Sequence, residues 1–186
     1  MLRNALRLAL SLALPAVLVA APATARAQEA PAVGDYAPDF SAAWADASGP
    51  RQGKVTLSEN RGRVVVIAFY PRDRSSGCTA QLTKFRDEFD TLFGGDVLLL
   101  PVSVDDLATH AEWAREMSMP FALVSDPDLE LAKMYGSAMD GRPMAARTVF
   151  VIGKDGRVTW RDMRFNALSE PAYEALAAAV EAARAG

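Results

Sequence analysis

Cys78 is the only cysteine among 186 residues, and it closes the segment Phe69-Tyr70-Pro71-Arg72-Asp73-Arg74-Ser75-Ser76-Gly77-Cys78. A cysteine sulfur attacks as its thiolate, and a free thiol with a pKa of about 8.5 is mostly protonated at neutral pH. Neighbours decide whether the anion is favoured. A helix that begins at the cysteine offers unpaired N–H groups and the positive end of its dipole. Ser75, three residues upstream, can aim a hydroxyl at the sulfur or at an oxygen bound beside it. Pro71 has no N–H, and its ring can screen the sulfur from water. A guanidinium, always charged and able to fork two donors, would complete such a niche.

The flanking elements place that cysteine at a strand-to-helix junction. Val64 to Tyr70 is continuously apolar and β-branched, the pattern of a strand buried on both faces. From Cys78 to about Phe93, Leu82, Phe85, Phe89, Leu92 and Phe93 recur at helical spacing, and Gly94-Gly95 stops the run. Val97 to Val104 is a second buried strand with Pro101 inside it, and Asp105 or Asp106 caps a helix reaching about Met117. Phe121 to Val124 is a short strand, and Pro127 to Tyr135 a short helix. Thr148 to Ile152 and Arg157 to Arg161 form a hairpin around Lys154-Asp155-Gly156, and Glu170 to Arg184 a last helix capped by Ser169. Before these, Asp46 to Lys54 is a polar loop, followed by a brief extended piece, Val55 to Leu57. Strands alternating with helices, then a hairpin and a helix, predict an α/β fold: a thioredoxin-like core with a central mixed β-sheet flanked by helices.

Residues 1–27 differ from the rest. Arg3 and Arg7 precede a short apolar run from Leu8 to Ala20, and Ala25-Arg26-Ala27 offers small residues for a cut before Gln28. That is the make-up of a signal peptide, with a mature domain at 28–186 exported to a bacterial periplasm. The run is too short, and too interrupted by Pro15, for a membrane span, and no cysteine follows the cut to carry a lipid anchor. A net charge of −3 leaves no basic footprint for nucleic acid. One cysteine permits no internal disulfide, so in an oxidising compartment it stays free or pairs with another chain.

Pro71-x-x-x-Ser75-x-x-Cys78 resembles the peroxiredoxin active-site motif. Arg147, in Ala146-Arg147-Thr148-Val149-Phe150, matches the arginine that this family places before a later strand. Gly34-Asp35-x-Ala37-Pro38-Asp39-Phe40, Ser125-Asp126-Pro127-Asp128 and Lys154-Asp155-Gly156 agree with it. Gly77-Cys78-Thr79-Ala80-Gln81 with Phe85-Arg86-Asp87 is similar to the bacterioferritin-comigratory-protein, or peroxiredoxin Q, branch. The resemblance implies a thiol-dependent peroxidase without cofactor, reducing hydrogen peroxide or organic hydroperoxides. In that scheme Cys78 passes through a sulfenic acid, with Pro71, Ser75 and Arg147 around it. Many members of the branch carry a second cysteine five residues on, where this chain has Thr83. An external thiol, a thioredoxin-like protein or a small molecule, must then recycle the enzyme. Family analogy also implies a monomer or weak dimer.

Competing expectations are blander. A lone cysteine is most often inert and buried, and Arg147 could be an ordinary ion-paired arginine. Ser75 could be only a turn or cap residue. His110, the only histidine, is expected to face solvent, and nothing in its spacing marks a Cys–His dyad. One Cys and one His make no zinc set, and Asp126-Pro127-Asp128 lacks the glycine and terminal Glu of a calcium loop. A thioredoxin-fold binding or scaffold protein with little turnover is the alternative function.

Overall fold

The computed structural model describes residues 29–186; the expected leader and the cut before Gln28 lie outside the described residues. Nine strands and five helices follow. The first strands are short: β1 (Ser41–Ala42), β2 (Trp44–Asp46), β3 (Gly49–Pro50) and β4 (Val55–Thr56). A 3-10 turn at Ser58–Asn60 leads to β5 (Val65–Phe69), α1 (Ser76–Asp87), α2 (Phe89–Leu92) and β6 (Leu98–Ser103). Then come α3 (Leu107–Glu116), β7 (Leu123–Ser125), α4 (Glu130–Met134), β8 (Thr148–Ile152), β9 (Val158–Asp162) and α5 (Glu170–Ala185).

Seven strands form one mixed sheet in the order β3-β2-β7-β6-β5-β8-β9, and β1 and β4 pair separately. β5 runs parallel to β6 and antiparallel to β8. All five residues of β5 and of β8 are buried, as their unbroken apolar runs require. Alternation then divides them. Val66, Ala68 and Tyr70 point to the face packed by α1, α3 and α5, while Val65, Ile67 and Phe69 point to the face covered by α4 and the N-terminal segment.

Pro101 is tolerated inside the sheet because of where its missing donor falls. Leu98 N–H donates to Val64 O, and Tyr70 N–H donates to Val102 O, so the even-numbered groups of β6 face β5. Pro101 therefore faces β7, whose pairing with β6 starts only at Val102.

Three expectations about the elements need correction. The helix after Cys78 is not continuous: its ladder breaks at Glu88 (φ −114, ψ 26), although the apolar stripe runs on through Phe89 and Phe93. Phe93 meets Phe85 edge-on at 5.2 Å, so packing survives the break. The Asp46–Lys54 loop contains β3, which makes a hairpin with β2 at the sheet edge. Ser169 occupies the N-cap of α5 but makes no side-chain capping bond; its carbonyl accepts from Ala172 N–H instead.

Candidate active site

β5 ends at Phe69, and the loop Pro71–Ser75 carries the chain into α1. Ser75 is the N-cap, which puts Cys78 in the first turn, where α-helical N–H groups have no partner within the helix. The sulfur is wholly buried, within an apolar cluster that includes Tyr70, Leu82, Phe85 and Val149. A cation reaches it there: Arg147 Nη2 donates to Cys78 Sγ at 3.4 Å.

Register explains how residues 69 positions apart meet. β5 and β8 are antiparallel with Phe69 opposite Thr148, so the next step along each strand sets the start of the cysteine loop beside Arg147. The Arg147 backbone is fixed as well, its carbonyl accepting from Phe165 N–H at 3.1 Å. Gly77 gives the guanidinium room, because a Cβ there would lie 3.1 Å from Arg147 Nη2. Gln81, one turn beyond Cys78 and 0% exposed, accepts from Arg147 Nη1 through Oε1. With Oε1 committed to the cation, Gln81 Nε2 is the only buried side-chain nitrogen or oxygen without a partner among the described residues. An orphaned amide of this kind costs about 1–3 kcal/mol, a cost that ordinary core avoids.

Pro71 is half-buried at the start of the loop. Ser75 is exposed, and its hydroxyl donates to the Arg72 carbonyl at 3.1 Å, while its own carbonyl accepts from Thr79 N–H. Thr83 lies half-buried on α1. Tyr173 of α5 is buried, its hydroxyl donating to Ala167 O, and burial pushes its phenol up to about 12 against the opposing charges of Arg147 and Lys84.

His110 contradicts its expectation. It is 0% exposed, with Nδ1 2.8 Å from Asp73 Oδ2 and Nε2 3.2 Å from the Val124 carbonyl. The helical pattern of α3 places it on the inner face with Ala111 and Ala114, a face wide enough to include a polar residue once a carboxylate is supplied from elsewhere. Gln81 enters the sequence reading only as part of the branch motif and not as a site residue, because a glutamine on an apolar face reads as incidental. Its i+3 spacing from Cys78 was the available signal.

A cation held over a first-turn cysteine is the arrangement that the sequence resemblance implies. The AhpC/TSA family model matches residues 33–161. The chain belongs to the AhpC/TSA family. Within this peroxiredoxin superfamily its relatives point to the bacterioferritin-comigratory-protein and peroxiredoxin Q branch. The thiol peroxidase of Halalkalibacterium halodurans is 36% identical over 155 residues, covering 82% of this chain and 87% of that protein. Chloroplastic peroxiredoxin Q of Oryza sativa subsp. japonica is 35% identical over 107 residues, 57% of this chain and 49% of its own length, so the match spans about half of the rice relative. The crystal structure of reduced 2-Cys peroxiredoxin from Plasmodium vivax superposes with a TM-score of 0.70 at 26% identity, covering 83% of this chain and 99% of that one. The peroxiredoxin fold is thus shared across the described domain, which is thioredoxin-like with a central mixed sheet.

Proposed function

We propose that this peroxiredoxin-family chain is a one-cysteine thiol peroxidase acting on hydrogen peroxide or organic hydroperoxides. The single observation that carries the proposal is Arg147 Nη2 at 3.4 Å from the buried Cys78 sulfur. A permanent cation and first-turn N–H groups favour a thiolate, and the same donors suit the charge that develops on a departing oxygen. The thiolate attacks one peroxide oxygen, an S–O bond forms, and the O–O bond breaks. Its electron pair leaves with the second oxygen, which takes a proton to become water or an alcohol. Cys78 is left as a sulfenic acid. Pro71 screens the pocket, and Ser75 starts the helix that presents the sulfur.

With Thr83 at the resolving position, the sulfenic acid must be reduced from outside. One external thiol condenses with it to a mixed disulfide and water, and a second thiol releases Cys78. A thioredoxin-like protein or a small thiol fits this role. The proposal extends to export: the leader pattern of residues 1–27 supports a mature domain at 28–186 in a periplasm, and family analogy adds a monomer or weak dimer.

Stopped-flow mixing with hydrogen peroxide tests the reading. Cys78 is expected to oxidise roughly 100- to 1,000-fold faster than free cysteine, yielding one dimedone-trapped sulfenic acid per chain, and Cys78→Ser is expected to be inert. A rate equal to that of free cysteine would instead favour a binding protein with an idle thiol.

A further inference from the structure

The loop leading to Cys78 holds a second buried polar cluster, on the opposite side of β5 from Arg147 in the sheet order. His110 comes from α3, and its ring lies between the Asp73 carboxylate of the loop and the Val124 carbonyl of β7. Tyr70, at the end of β5, donates its hydroxyl to the other Asp73 oxygen at 2.7 Å. The Asp73 backbone N–H donates to Asp105 Oδ2 at 2.8 Å, and the Ser103 hydroxyl donates to that same oxygen. Both His110 nitrogens thus have oxygen partners, which holds the ring at two points. Outside this cluster, Arg74 adopts a left-handed backbone (φ 58) and makes two hydrogen bonds to Glu116 of α3.

A buried Asp–His pair is a poor way to gain stability, because taking both groups out of water offsets most of their attraction. What it does provide is direction. Each member fixes the other at one distance and angle, whereas an apolar pair could slide. Here the fixed point is residue 73, inside the loop that sets where Cys78 sits.

We infer that the buried Asp73–His110 pair, completed by Tyr70, positions the Pro71–Ser75 loop so that the Cys78 sulfur meets Arg147. The inference rests on the peroxidase reading above. The pair touches neither sulfur nor guanidinium and acts through the loop. It grips the loop from the α3 and β7 side, while Arg147 meets the cysteine from the β8 side.

Three variants test it: Asp73→Asn, His110→Gln and the gentler Tyr70→Phe, which removes one hydroxyl. Two rates are read, the second-order oxidation of Cys78 by hydrogen peroxide and its labelling by Ellman's reagent, alongside the thermal midpoint. The sulfur is fully buried, so the bulky reagent enters only when the loop opens. Oxidation is expected to slow by roughly 10- to 100-fold while labelling quickens, with the smallest change in Tyr70→Phe. The double variant Asp73→Asn/His110→Gln should be no slower than the worse single one, as for two halves of one device. A merely structural role lowers the thermal midpoint but leaves oxidation unchanged in a protein still more than about 99% folded. Folded variants that oxidise at the wild-type rate overturn the inference. If the first two variants do not fold, a wild-type oxidation rate in Tyr70→Phe overturns it alone. Failure of the peroxidase reading shows separately, as a wild-type chain no faster than free cysteine.

Discussion

On one face of the central sheet Ile67, Phe69 and Phe150 bury hydrocarbon against Tyr135, whose ring lies 5.5 Å from Phe69 and 5.2 Å from Phe150. Polar groups there are paired: the Tyr135 hydroxyl donates to Pro38 O at 2.7 Å, and the buried Ser137 and Thr148 hydroxyls bond each other at 2.6 Å. On the other face, the alternate residues Val66, Ala68 and Val149 help enclose a thiol. The same face adds a guanidinium at 3.4 Å from that thiol and a glutamine amide with an unmatched nitrogen. Two neighbouring residues on one strand thus serve opposite ends. One side is built for cohesion, the other accepts polar cost to hold a thiol beside a guanidinium.

That contrast can be broken experimentally, beginning on the cohesive side. Phe150→Ala should remove about 3–5 kcal/mol of stability, measured by urea denaturation, while the remaining folded protein oxidises at the wild-type rate. A parallel loss of rate would show that the two faces are not independent. Arg147→Ala should do the reverse. Oxidation by hydrogen peroxide should slow by about 100-fold or more, about 2.7–4 kcal/mol of barrier at most, with little change in the urea midpoint. Arg147→Lys should recover only part of this, because an ammonium cannot fork to Cys78 and Gln81 together.

A smaller effect should follow from Gln81→Met. It removes the orphaned Nε2, so stability should hold or rise by about 1 kcal/mol, yet the guanidinium loses its second acceptor and oxidation should fall by roughly tenfold. Paired stability and rate measurements moving in opposite directions are the signature. The smallest expected effect is electrostatic. Burial raises the Tyr173 phenol to about 12, above an unfolded value of about 10. The folded state therefore holds this proton more tightly. The stabilisation is complete below about pH 10 and is lost as the pH rises from there to about 12. Tyr173→Phe should flatten that part of the stability–pH curve, and an unchanged slope would remove Tyr173 from the account.

Much of this was legible in the residues. The β5 run, the Cys78 helix start, the β8–β9 hairpin around Asp155-Gly156 and the Asp106 cap, whose carboxylate accepts from Thr109 N–H at 2.8 Å, all follow from local pattern. Other features were not legible. The place of Trp44 is one, because β2 joins the sheet through β7, where Trp44 pairs with Val124 far along the chain. His110 gave the wrong expectation because its polarity argued for solvent, while the Asp73 carboxylate that lets it face inward comes from another segment.

Taken alone, the amino-acid order set the period of each segment, the position of the cysteine at a strand–helix junction and the types of group able to serve it, since these depend on residues a few positions apart. Tertiary structure alone decided that Arg147 reaches Cys78, that Gln81 holds the arginine and that Asp73 meets His110. Those meetings depend on the antiparallel register of β5 with β8 and on the packing of α3 against the cysteine loop. A one-residue slip in that register would turn the side chains of β8 to the opposite face while leaving each local pattern intact.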